Sequence, residues 1–187
     1  MDVQEYRLSE QACGTGGVRN IMTSRPDDAE VSGAARTDAC VLLSGEAGAV
    51  QALAQRIHTL SGWRQGPFVT VNCAWPDAML DARLFGMLGD QVAGDAGLPT
   101  ARLSQSGTVF LQEVGSLSAA AQSRLADYLG ELRAHGGDRR ARRRVMASTS
   151  EDLLERVNAG TFDGQLFYRL NVMHLIVPGN EGKWVRQ

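Results

Sequence analysis

Short apolar runs separated by stretches of helical spacing constrain this chain more than any other feature. Val41-Leu42-Leu43, preceded by Cys40 and ending at Ser44-Gly45, is continuous rather than alternating, the form of a strand buried on both faces. Phe68-Val69-Thr70-Val71, Thr108-Val109-Phe110-Leu111, Val145-Met146-Ala147-Ser148 and residues 172–177 are further runs of this type. Between them, Ala52, Leu53, Arg56, Ile57 and Leu60 recur at helical spacing up to Ser61-Gly62, and Pro76-Asp77 opens a short helix running to Phe85. Ser118 to Leu132 aligns Ala121, Leu125, Tyr128, Leu129 and Leu132 on one stripe, and Glu151 to Val157 reads as another helix. This alternation predicts an α/β fold, a parallel sheet with helices on both faces. Ligands of such sheets sit beyond the carboxyl ends of the strands, so the loops after residues 44, 71, 111 and 149 are the places for a site.

Two stretches lack a period. Residues 1–36 are polar and broken at Gly14-Thr15-Gly16-Gly17 and Ser24-Arg25-Pro26-Asp27-Asp28, apart from a short helical signal at Val18 to Met22. They read as an N-terminal tail or loosely packed segment. Residues 86–107 carry five glycines and one proline, which predicts a long loop or an irregular hairpin. The 19 basic and 21 acidic residues nearly balance, so no global charge draws the chain to nucleic acid or acidic lipid. No apolar run approaches the roughly 18 residues of a membrane span, and Met1-Asp2-Val3-Gln4-Glu5 does not open a signal peptide. Cys13, Cys40 and Cys73 fit neither a disulfide framework nor a zinc site, which predicts a reducing cytoplasmic setting.

The loop after the first strand reads Gly45-Glu46-Ala47-Gly48-Ala49-Val50-Gln51. A phosphate-binding loop places glycines here so that backbone N–H groups can cradle phosphate, then a lysine against its charge and a hydroxyl for magnesium. The place and two glycines fit, but the only lysine in the chain is Lys183, near its end.

Gly45-Glu46, Arg56-Ile57-His58, Pro67-Phe68-Val69, Val71-Asn72-Cys73-Ala74, Leu84-Phe85-Gly86, Gly107 to Leu111, Ala147-Ser148-Thr149 and Phe167-Tyr168-Arg169-Leu170-Asn171-Val172 occur in that order. The series resembles the AAA+ ATPase domain of bacterial enhancer-binding proteins, the activators of sigma-54 RNA polymerase, from about Asp38 to Pro178. The resemblance implies a three-layer α/β/α P-loop NTPase core with a five-stranded parallel sheet over residues 37–178, followed by a C-terminal tail, 179–187. The family's helical lid and its C-terminal helix-turn-helix are expected to be missing. Members of the family hydrolyse ATP between subunits of a ring and press a Gly-Ala-Phe-Thr-Gly-Ala loop against the sigma factor.

Carried over residue by residue, the working parts are altered. The family's Gly-Glu-Ser-Gly-Thr-Gly-Lys-Glu places its lysine on Gln51 without a gap, or on Val50 with a one-residue deletion, which matches the following helix and His58 better. The acidic pair after the third strand is Gln112-Glu113, and the polar sensor is Thr149-Ser150. Of two trans-acting arginines, one position holds Asp163 and the other keeps Arg169. The sigma-contacting loop falls on Asp90-Gln91-Val92-Ala93-Gly94-Asp95, where Gly94 alone is retained.

Plainer roles stand beside these. Glu113 can serve as a hydrogen-bonding residue, Arg169 as an intersubunit contact or a structural ion pair, His58 as a packing or capping group and Cys73 as a small buried group. His135 and His174 define no site in sequence, and the run Arg139 to Arg144 reads as a solvated turn before the fourth strand or as a phosphate contact. The expectation is a transcription-regulation protein that has kept the AAA+ scaffold without hydrolysing ATP. It would act through a homologous AAA+ activator, the sigma-54 machinery or self-association, with no cofactor and no magnesium. The alternatives are a weak or noncanonical binder of ATP, ADP or a cyclic dinucleotide at residues 45–51 and Glu113, and a decaying gene product.

Overall fold

The computed structural model describes residues 26–85, 107–134 and 143–177. The runs expected as strands form one sheet: β1 (Val41–Gly45), β2 (Phe68–Asn72), β3 (Gly107–Gln112), β4 (Arg143–Thr149) and β5 (Met173–Val177). Its order is β2-β3-β4-β1-β5 and every pairing is parallel. Residues of β1 therefore alternate between two buried faces. Val41 and Leu43 join Phe110, Met146 and Leu175 on one side, while Leu42 joins Val109, Leu111 and Ala147 on the other.

Helices α1 (Asp28–Arg36) and α2 (Ala47–Leu60) cover the first face through Val31, Ala34, Val50, Ala54 and Ile57. The second is covered by α3 (Asp77–Leu80), α4 (Ala119–Ala134), α5 (Leu153–Asn158) and α6 (Gly164–Leu170), with Leu80, Leu125, Leu129, Leu166 and Leu170 fully buried. The expected helix from Asp77 to Phe85 changes pitch midway, its second half (Asp81–Phe85) being a π turn.

Three features depart from the sequence reading. Residues 28–36 are not part of a loose tail. Asp27 accepts from the Glu30 N–H at 2.7 Å while Glu30 accepts from the Asp27 N–H at 3.1 Å, a capping box that starts a helix whose Val31 and Ala34 are completely buried. Helix α6, met in sequence only as a family motif, is opened by Asp163, whose side chain accepts from the Leu166 N–H at 2.7 Å.

Arg144 is also not part of a solvated turn. It lies within β4, 1% exposed, donates through Nη2 to the Ala34 carbonyl in the last turn of α1, and stacks 5.4 Å over the Trp63 ring. Burial pulls its pKa down to about 10, opposed by the charge of Asp38. Residues 1–25, residues 86–106, including the sigma-loop positions Asp90 to Asp95, and His135 with the arginines from 139 to 142 lie outside the described residues, while Arg143 opens β4.

Gly45 shows why one family residue persists for reasons of packing. Its φ is +145°, and a Cβ there would run into the Val177 carbonyl on β5. Gly45→Ala is expected to cost about 3 kcal/mol and to lower Tm by about 6–12 °C in a thermal melt.

Candidate functional site

The carboxyl ends of β1, β3 and β4, with the first turn of α2, form the edge where a ligand is expected. A phosphate cradle needs several successive N–H groups turned into an open loop. Here the loop is nearly absent. Glu46 alone separates Gly45 from Ala47, the first residue of α2, and the Val50 N–H is already used on the Glu46 carbonyl at 2.9 Å. Ala47, Gly48 and Ala49 thus belong to the helix, and Val50, 1% exposed, is a core residue.

Gln51, one turn into α2, reaches the end of β3, where its Oε1 accepts from Gln112 Nε2 at 3.2 Å. The two positions that the ungapped register assigns to the lysine and to the first acidic residue are thus in contact, as neutral amides. Glu113, next along, adopts a left-handed backbone (φ 54°, ψ 55°). Its carboxylate accepts from the Ser150 N–H at 3.1 Å and from Ser150 Oγ at 2.8 Å, while its own N–H donates to Ser148 Oγ at 3.4 Å. The expected base and the expected sensor are therefore brought together, each engaging the other. Thr149 turns away and closes a local turn through Glu151 N–H and carbonyl, at 3.0 and 3.1 Å.

Arg169 sits apart from this edge. It donates to the Ala126 carbonyl of α4 and lies against Gly130, where any side chain would collide with the guanidinium. The contact is to a backbone carbonyl and not the ion pair expected as its plainer role. Asp163 serves as the α6 cap, and its N–H donates to Gln122 Oε1 at 2.8 Å.

One polar pair escaped the sequence reading. Ser44 Oγ and His174 Nε2 are 2.7 Å apart, across the β1–β5 boundary. The two residues are far apart in sequence, and no local pattern marks them; only the sheet order, with β5 beside β1, joins them. Cys73 is buried, and burial together with the nearby Glu113 carboxylate pushes its thiol up to about 12, so it packs as an uncharged group. His58 is likewise a packing residue, hydrogen-bonded to Thr108 Oγ1 at 2.8 Å and tilted against Phe68. Among the described residues, no group of three or more His, Cys, Asp or Glu is placed to hold a metal ion.

The sheet order and the glycine-marked junction between central β1 and α2 define the class: a P-loop NTPase-type α/β core. The family follows from comparison with known proteins. The model of the Sigma-54 interaction domain matches residues 22–176, and the chain belongs to that family, whose members regulate transcription. It is 38% identical over 152 residues to the Nif-specific regulatory protein of Azorhizobium caulinodans, covering 77% of this chain and 25% of that one. It is 36% identical over 191 residues to the regulatory protein AtoC of Escherichia coli K12, covering 94% of this chain and 41% of the relative.

Among solved structures, NtrX from Brucella abortus in complex with ATP superposes with a TM-score of 0.66 at 26% identity, over 87% of this chain and 40% of NtrX. The P-loop NTPase domain of a sigma-54 activator from E. coli gives 0.58 at 18% identity, over 82% of this chain and 92% of that domain, a likeness of fold alone. The chain spans a quarter to two-fifths of the length of the two curated relatives. Among the described residues, no helix is long and apolar enough to cross a membrane.

Two predictions follow from the edge and its surroundings. Burial lowers the pKa of both His58 and His174 from 6.5; Arg144 adds to the effect at His58 and a contact with the Gly66 backbone opposes it, while Asp152 opposes it at His174. The unfolded chain then binds more protons than the folded one just below 6.5, so stability from these groups is full above that pH and falls as pH drops through it. Denaturant midpoints measured between about pH 5.5 and 7.5 should show this slope, and the variant with His58→Gln and His174→Gln should flatten it. Restoring the family arginine by Asp163→Arg should cost the α6 cap, about 1 kcal/mol, seen as a Tm about 2–4 °C lower.

Proposed function

We propose that this chain regulates transcription through protein contact, as a sigma-54 interaction domain that does not hydrolyse ATP. The Gln51–Gln112 amide pair supports the reading: Gln112 stands where the family resemblance places a carboxylate, and Gln51 where the ungapped register places the lysine, the gapped register placing it on Val50 in the core. A magnesium–triphosphate is poorly served by this donor set. Neither register supplies a lysine, an amide stands in place of the first carboxylate, and the remaining carboxylate, Glu113, is engaged by Ser150.

Each charge-assisted contact to phosphate is worth roughly 1.5–3 kcal/mol. Losing two weakens nucleotide binding by about 10²–10⁴. Asp163 and the engaged Arg169 remove a second source of rate, since an arginine acting on the transferring phosphate contributes about 10³–10⁵. Among partners, a homologous AAA+ activator fits best, followed by the sigma-54 machinery itself and self-association. The packed scaffold offers the shape of a family subunit without requiring nucleotide.

The second reading, a noncanonical nucleotide binder, is favoured by one observation. The first-turn N–H groups of α2 at Ala47, Gly48 and Ala49 have no partners within the helix and lie at its start, just past the carboxyl end of β1. Purified protein assayed for phosphate release should match its Glu113→Ala variant, and calorimetric titration with ATP, ADP and a cyclic dinucleotide should give no heat of binding. Turnover well above the variant overturns the proposal, whereas heat without turnover selects the second reading.

A further inference from the structure

At the candidate edge the ends of β2, β3 and β4 and the first turns of α2 are joined by hydrogen bonds made within the chain, and the end of β1 is bonded separately to β5. The Cys73 N–H, just past β2, donates to the Gln112 carbonyl at 2.8 Å, and Gln112 Nε2 donates to Gln51 on α2 at 3.2 Å. Glu113 ties the end of β3 to Ser148 and Ser150 at the end of β4, and Ser44 ties β1 to His174 of β5 at 2.7 Å. Gln51 and Gln112, both half-buried, link the start of α2 to the carboxyl end of β3, as His58 and Thr108 link the far end of the helix to the strand's amino end.

A lysine and an aspartate in these two places could pair with each other, but the remaining ammonium donors and carboxylate lone pairs would bring unsatisfied hydrogen-bonding capacity into a partly dry edge. Such groups are stabilised by countercharges, so the edge would respond to the presence of an anion or a metal ion. Two primary amides need no such ligand, because one donates and the other accepts.

Resting on the reading that the chain does not hydrolyse ATP, we propose that the Gln51–Gln112 contact is a constitutive latch. It fixes α2 against the end of β3 and holds the edge in a single ligand-independent conformation, so that the surface offered to a protein partner does not depend on nucleotide. Replacing only one member of the pair leaves the other amide half-buried without its partner. Replacing both with apolar side chains of similar length removes that penalty.

The cycle of Gln51→Met, Gln112→Met and the double variant tests this in thermal melts of the whole chain. Each single variant should lower Tm by about 2–4 °C, and the double should fall no further than the worse single. Hydrogen exchange followed by mass spectrometry adds a readout on the folded protein. Peptides covering residues 46–51 and 112–113 should exchange about 2–12-fold faster in each single variant.

Additive losses in the cycle, or unchanged exchange in both peptides, overturn the latch. A rise in the wild-type Tm on adding magnesium and ATP would instead overturn the ligand independence, whereas phosphate release well above the Glu113→Ala variant would overturn the reading on which the latch rests. The cycle reports on the contact in either case.

Discussion

The position of β1 between β4 and β5 is the constraint on which the rest of the structure depends. A strand in the middle of a parallel sheet is buried on both faces, which is why Val41, Leu42 and Leu43 form an uninterrupted apolar run with almost no exposure. The same placement brings the end of β1 against β5 so closely that only a glycine fits at position 45. It sets Ser44 beside His174 and sends the chain directly into α2. Gly45 in this chain is thus accounted for by steric contact with Val177, and its retention carries no information about phosphate.

That separation of scaffold from chemistry runs through the whole edge. Substitutions that depart from the family pattern fall into positions where the new side chain has a structural job. Val50 fills the core beneath α2, Asp163 caps α6, and Gln51 and Gln112 satisfy each other, while the retained Arg169 is drawn onto the α4 carbonyl at Ala126. A site losing its residues at random would leave unpaired polar groups at these places, each costing about 1–3 kcal/mol. The observed pairs instead replace charge with neutral or local contacts, which favours a maintained protein over a decaying one.

The sheet was legible because its strands are the strongest apolar runs in the chain, and the family motifs lie at their ends. The limits of that reading have identifiable physical causes. Helix α1 is announced by Asp27 and Glu30 three residues apart, a capping signal hidden in a stretch rich in proline, aspartate and glycine. Its small buried residues, Ala34 and Ala35, make a weak apolar stripe. Arg144 was misread because a run of arginines looks solvated, whereas strand alternation turns its side chain inward, away from its neighbour Val145. The Ser44–His174 pair depends on sheet order, and the Gln51–Gln112 pair on the register between a helix and a strand; neither is encoded in local spacing.

The two ends of the sheet are opposite in electrostatic character. The carboxyl end, where the family's charged machinery belongs, holds a neutral amide pair and a carboxylate engaged by a serine. The amino end holds the buried cation of Arg144, with Trp63 on its face, the α1 carbonyl at Ala34 on Nη2 and the opposing charge of Asp38 nearby. A desolvated guanidinium is costly unless its surroundings are fixed, and Nε and Nη1 have no hydrogen-bond partner. The cation is therefore held where α1, the loop carrying Trp63 and β4 converge, and its stability depends on all three remaining packed. Rigidity at that end requires α1 to be part of the domain, so the segment from Asp27 to Arg36 belongs to the folded core and not to a tail that precedes it.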